Sequence, residues 1–119
     1  MVKDNNCLFC KIIANEIPSK KVYEDESVYA FHDINPAAPI HIIIIPKPHI
    51  ESVNSVSNSN SKYLSKIFEV IPVIVETMKI KERGYRVITN IGEEGGQTIN
   101  HLHFHIIGGK KLDTKIIND

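Results

Sequence analysis

Apolar and polar positions along the chain switch between helical and strand spacing, and the switches mark out its elements. Apolar residues in Leu8-Phe9-Cys10-Lys11-Ile12-Ile13-Ala14-Asn15 recur at helical spacing and Pro18 limits any extension, which predicts a short helix over 8–15. The β-branched and aromatic runs 21–25 and 28–31, separated by Glu26-Ser27, predict a hairpin. Asn35-Pro36-Ala37-Ala38-Pro39 reads as a turn, because its prolines oppose helix. The segment 41–46 holds Ile42 to Ile45 with no alternation, which predicts a strand covered on both faces. The stretch 52–61, almost all Ser and Asn, is expected to be a surface connection. Leu64, Ile67, Phe68, Ile71, Val75 and Met78 then mark one face of a long helix, which Pro72 is expected to kink or locally break. A strand over 86–90, a turn over 92–96 and a last strand over 102–107 follow, ended by Gly108-Gly109, and the tail 110–119 is weakly patterned. Strands outnumber helices and several neighbours are hairpin-linked. The expected class is therefore α+β, a mainly antiparallel sheet of about five strands with one long helix and a short N-terminal helix.

Composition narrows the function more than the fold. At 119 residues, 42% hydrophobic and 24% charged, a single globular domain over 1–119 is expected. Fourteen basic residues cancel fourteen acidic ones, so a dominant polyanion-binding role is disfavoured and no nucleic acid is expected as partner. No apolar signal core follows the start and no run approaches a membrane span, so the expected setting is cytoplasmic, without a membrane. There, Cys7 and Cys10, three apart, suggest a metal clip or redox pair more than a structural disulfide.

The strongest chemical signal is His101-Leu102-His103-Phe104-His105-Ile106-Ile107. Alternation on a strand puts His101, His103 and His105 on one face and Leu102, Phe104 and Ile106 on the other, toward the core. A histidine-rich solvent face is the bland reading. Two functional readings stand beside it. The imidazoles could be zinc ligands of a three-histidine metalloenzyme. Alternatively, one could be a nucleophile while its neighbours bind the anion being attacked. A zinc hydrolase would also want an acidic residue near its ligands, and none lies between Gln97 and Gly109.

The segment resembles the signature of the histidine triad family, His-φ-His-φ-His-φ-φ with φ apolar. The resemblance extends roughly from Cys7 to Gly109, through Phe31-His32-Asp33-Ile34-Asn35-Pro36, His41, Ile45-Pro46-Lys47-Pro48-His49-Ile50, Gly95-Gly96-Gln97-Thr98 and Gly108-Gly109. The trailing glycines resemble its nucleoside phosphoramidase, or nucleotide-binding, branch. That resemblance implies a homodimer. It also implies hydrolysis of purine nucleoside 5′-phosphoramidates or related adenylates at the α-phosphorus, with no cofactor in the chemistry. In it His103 matches the nucleophile, which becomes nucleotidylated and whose second nitrogen donates to the carbonyl of His101. His105 and His41 match residues lining the phosphate, Asp33 the acceptor of ribose hydroxyls, and Ile34 an apolar wall against the purine. Asn90, Gln97 and Thr98 match polar contacts around the phosphate, where Gly96 lets backbone approach closely.

Cys7 and Cys10 are half a tetrahedral zinc site, and His49 and His101 are the candidates for the other half. Bacterial-type members resemble this arrangement, which implies a structural zinc pinning the N-terminal helix to the sheet. Two reduced, partly buried cysteines are the alternative, and His101 would then serve the catalytic site. His32 is expected to pack rather than to ligate. The tail lacks the tryptophan and proline that some members place near the partner's site, which leaves the leaving group open. A dinucleoside polyphosphate hydrolase, or a nucleotide-binding interaction module with incidental activity, are the rival readings.

Overall fold

The computed structural model describes residues 4–114. A short helix α1 (Leu8–Ile13) leads to strands β1 (Lys21–Glu24), β2 (Val28–His32) and β3 (Ile40–Pro46). A single turn of 3-10 helix (Val53–Ser55) precedes the long helix α2 (Ser61–Thr77), and β4 (Tyr85–Ile88) and β5 (Phe104–Gly108) close the fold. The strands form one antiparallel five-stranded sheet in the order β1-β2-β3-β5-β4. The α+β class read from the sequence is thus the observed one. Residues 115–119 of the expected tail lie outside the described residues.

Central strand β3 explains its own unbroken isoleucine run. Ile42 and Ile44 join the core under α2 with Val28, Ala30, Leu102, Phe104 and Ile106, while Ile43 and Ile45 join a second core under α1 with Tyr29, Phe31, Phe9 and Ile12. Both faces are therefore dry, and period-two alternation has nothing to report. Burying such side chains contributes roughly 25 cal/mol per Å² of apolar surface, so each face of β3 holds one helix to the sheet.

Several boundaries and faces differ from expectation: α1 ends at Ile13, β3 starts at Ile40, and β4 spans Tyr85–Ile88 rather than 86–90. Helix α2 is not broken at Pro72, which is exposed and forgoes one backbone donor; of the expected kink or break, the break is absent. Its buried face consists of Ile67, Val70, Ile71, Ile74 and Val75, whereas Phe68 is 53% exposed and meets Phe104 only edge-on. Strand β5 begins at Phe104 rather than Leu102. The β3–β5 register pairs Ile44 with Phe104, so Leu102 would stand opposite Pro46, which has no N–H; the Leu102 N–H donates to the Ile50 carbonyl instead. At the other end Gly109, at φ +89°, turns the chain where a Cβ would press on Pro39.

Candidate active site and metal centre

The helix α1 face of the sheet carries the histidines. His41 on β3 and His105 on β5 are diagonal neighbours, because Ile43 pairs with His105 and His41 with Ile107. His103 immediately precedes β5, and its ring meets that of His105 edge-on at 5.1 Å. Leu102, Phe104 and Ile106 point into the other core, as the alternation predicts.

Hydrogen bonds fix the tautomer of each ring. The backbone N–H of Ala37, in the proline turn, donates to His41 Nδ1 at 3.0 Å, so the neutral ring carries its proton on Nε2. That Nε2–H donates to His105 Nδ1 at 2.8 Å, with Asp33 Oδ2 also 3.4 Å away. His105 therefore holds its own proton on Nε2. His103 Nδ1–H donates to the His101 carbonyl at 2.7 Å, leaving Nε2 with a lone pair. Thr89 Oγ1–H holds the His103 carbonyl at 2.8 Å. Burial lowers His103 from the ordinary histidine range and lowers His105 to about 4, so both rings are neutral near pH 7. His105 is then an N–H donor in the ligand-free protein rather than an imidazolium.

These two histidines line a cavity of about 360 Å³. Its walls are mostly apolar, from Phe9, Ile12 and Ile17 to Phe31, Ile43 and Ile99, with Asp33, Ile34 and Thr98 at polar or open positions. Ile34 is 90% exposed, an apolar side chain left in water at the rim. Asp33 Oδ1 accepts the Asn35 N–H at 2.7 Å and so shapes the turn as well as facing the cavity. An apolar slot with an unprotonated imidazole nitrogen and an N–H donor on one wall can hold an aromatic group and offer a lone pair to an electrophile attached to it.

Not every expected site residue reaches the cavity. Asn90 Nδ2–H donates to the Gly95 carbonyl at 2.8 Å. Gln97 accepts from Gly92 N–H through Oε1 and donates through Nε2 to the carbonyls of Glu51 and Ile99. Both amides brace the 92–97 loop rather than face outward. Gly96 is explained by its φ of +83°; a Cβ there would lie no closer than 3.8 Å to its surroundings, and the tight approach is at Gly95, where a Cβ would sit 2.1 Å from the Ile91 carbonyl oxygen. His32, expected to pack, is part of the cavity wall. The sequence reading also passed over Phe9, Thr89, Ser19 and Ile99. Ser19 Oγ, on the wall, shares a 2.6 Å hydrogen bond with the buried Tyr29 hydroxyl. Apolar helix residues and loop residues carry no chemical signature, and only the fold shows which of them face a cavity.

Behind His103 lies a second cluster. Cys7 and Cys10, His49 and His101 bring one ligand atom each to within 4.8 Å of one another, and could hold a metal ion. The donor set fits. His101 Nε2–H donates to the Pro46 carbonyl at 2.8 Å, so Nδ1 presents its lone pair to Cys7 Sγ at 3.3 Å and Cys10 Sγ at 3.6 Å. His49 Nδ1 lies 3.4 Å from Cys10 Sγ, and its Nε2 faces Asp4 Oδ2 at 3.8 Å. Burial lowers His101 to about 4, keeping its ring neutral as a ligand must be, and raises the uncomplexed Cys10 thiol to about 11. Asp33, His41 and His105 also converge. They fit a cation poorly, because His41 has its proton on Nε2 and would become an imidazolate on ligating through it while Ala37 N–H occupies Nδ1.

A model of the HIT domain family matches residues 14–112. The purine nucleoside phosphoramidase of Escherichia coli strain K12 is 47% identical over 105 residues, covering 88% of this chain and 88% of that protein. Among solved structures, a HIT family hydrolase from Clostridium thermocellum superimposes with a TM-score of 0.94 at 49% identity, covering 97% of this chain and 100% of that one. The histidine triad nucleotide-binding protein of Candida albicans gives a TM-score of 0.79 at 34% identity, covering 92% and 87%.

Proposed function

From the premise that the chain belongs to the HIT domain family, we propose that it is a nucleotide hydrolase that cleaves purine nucleoside 5′-phosphoramidates or related adenylates through a covalent nucleotidyl-His103 intermediate. One observation carries the reading: His103, on the wall of an apolar cavity, has its Nδ1–H engaged by the His101 carbonyl at 2.7 Å. A neutral ring so held keeps a lone pair on Nε2 at neutral pH, which is what a nitrogen nucleophile needs. Nε2 bonds to the α-phosphorus as the P–N bond breaks, and the departing amine takes up a proton from solvent. Water then attacks the phosphorus and gives a proton back to solvent, breaking the P–Nε2 bond, releasing the nucleoside monophosphate and returning the lone pair to His103. His105, with its N–H oriented by His41, supplies a hydrogen bond to the developing oxyanion. Asp33 would accept from the ribose hydroxyls, and Ile34 with the apolar wall would cover the base. Asn90, Gln97, Gly96 and Thr98 would form the loop beside the phosphate, Asn90 and Gln97 by bracing it.

In this reading Cys7, Cys10, His49 and His101 hold a structural zinc that joins α1 to the sheet and takes no part in bond breaking. The protein acts as a cytoplasmic homodimer. The dimer is supported by β4, an edge strand whose Tyr85 and Val87 are each 36% exposed, and by Phe68 and Val73 on α2, at 53% and 52%.

The test is turnover of adenosine 5′-phosphoramidate with acid-quenched mass spectrometry. The expected result is AMP release with a nucleotidyl adduct on His103, and a loss of more than about a thousandfold in His103→Ala that retains its fold. Turnover without an adduct, or survival of activity in His103→Ala, overturns the mechanism. Faster turnover of a diadenosine polyphosphate would assign a phosphate leaving group instead. Tight AMP binding with no turnover of either would favour an interaction module.

A further inference from the structure

The catalytic wall and the thiol–imidazole cluster meet at one residue. His101 is fully buried, and its ring nitrogens and carbonyl are all engaged. Nε2–H donates to Pro46 at 2.8 Å, Nδ1 faces the two sulfurs at 3.3 and 3.6 Å, and the carbonyl takes the His103 Nδ1–H at 2.7 Å. Moving the ring while leaving the carbonyl in place would unpair a buried polar group, so ring and carbonyl shift together.

A second bridge runs through Phe9, which stands between the two cysteines on α1. Its ring meets His103 edge-on at 5.0 Å and His101 at 5.9 Å, and is backed by Phe31 at 5.7 Å. The hydrogen bond from Nδ1 fixes where His103 pivots, and the Phe9 ring restrains how far it tilts. Meanwhile the Cys10 N–H donates to Cys7 Sγ at 3.3 Å, tying the helix turn that carries Phe9 to the same sulfurs.

We propose that the Cys7–Cys10 turn and His101 form a positioning unit for His103, so that the state of the thiol–imidazole cluster reaches the nucleophile through the His101 carbonyl and the Phe9 ring. The kinetic part rests on the hydrolase reading above; the structural coupling does not. His101 is a positioning residue that does not touch substrate, and Phe9, whose ring also forms part of the cavity wall, positions His103 through its edge-on contact. Geometry set this way acts on the bond-forming step and leaves nucleotide affinity alone, because a misplacement of about an ångström is costly in the transition state and nearly neutral in the ground state.

The experiment compares wild-type protein loaded with zinc, the same protein depleted and then reloaded, Phe9→Leu, and Val75→Ala as a control in the opposite core. Two readouts are taken, the imidazole ¹⁵N–¹H correlation of His103 Nδ1–H and the rate of adduct formation from adenosine 5′-phosphoramidate, with circular dichroism confirming the fold. Phe9→Leu keeps all four ligands, so it isolates the ring contact. The expected result is a displaced or fast-exchanging His103 resonance in both Phe9→Leu and the depleted protein, restored on reloading. Adduct formation should slow about tenfold in both, and KM should stay within about twofold in the depleted protein, whose cavity wall keeps every side chain. An unchanged resonance in either folded form overturns the proposal, as does an equal change in Val75→Ala. Failure of wild-type protein to form any adduct would remove the hydrolase reading, while the resonance would still decide the coupling.

Discussion

At the residue scale, the chemistry lies in how each imidazole disposes of its proton. Three backbone groups settle this: Ala37 N–H on His41, the His101 carbonyl on His103, and the Pro46 carbonyl on His101. The alternation of His101, His103 and His105 was legible because strand geometry follows from spacing. The tautomer of His103 was implied by the resemblance alone, and those of His41 and His101 were not legible, since the Ala37 N–H and the Pro46 carbonyl that set them are brought to the rings by the fold. Asn90 and Gln97 show the converse, polar residues beside a site whose amides are consumed in holding a loop. The neutrality of His105 has a consequence for stability. Its folded value of about 4 lies below the ordinary 6.5, so between those limits the unfolded chain binds a proton that the folded protein does not. Its contribution is complete above about pH 6.5 and is lost as pH falls toward 4. Thermal midpoints measured from pH 7.5 to 4.5 should fall across that window, and the fall should be shallower in His105→Gln.

At the element scale, the isoleucine run of β3 and the helical face of α2 were readable because burial on both sides of a strand and along one face of a helix leaves distinct spacings. What spacing could not give was which flank of α2 remains outside. Phe68 fits the periodic stripe, yet it is exposed while Val70 and Ile74 are buried, a rotation of the face that only the sheet's position decides. Pro72 likewise reads as a kink or break, but on the solvent side of the helix it forfeits a hydrogen bond without ending the element. Replacing it should therefore stabilise: Pro72→Ala regains the donor and relieves the ring's pressure on the preceding turn, for a gain of about 1–3 kcal/mol. Denaturant unfolding would show this as a raised midpoint with an unchanged slope. An unchanged or lower midpoint would mean that the helix is already bent to suit its proline.

At the scale of the molecule, the sheet has helix α2 packed on one face and helix α1 with the histidines on the other, and the two faces are held differently. The α2 face is a large apolar core, whereas α1 has only six residues, and the cluster of Cys7, Cys10, His49 and His101 supplies its further attachment. Chelation should therefore lower the thermal midpoint and expose both thiols to a disulfide reagent, and zinc should reverse both effects. Among the described residues the sheet ends at β4 on one side, beside exposed Tyr85 and Val87 and, on α2, Phe68 and Val73. An edge left unpaired invites another strand, and a second copy of the same edge closes it with two-fold symmetry, leaving no free edge on that side. A charge placed there should prevent this at little cost to the monomer, since Val87 is not in either core. Val87→Asp should elute and scatter as a monomer where the wild-type chain is a dimer, with its far-ultraviolet spectrum unchanged. If the wild-type chain is itself monomeric at micromolar concentration, the edge is closed by some other means and the homodimer reading fails.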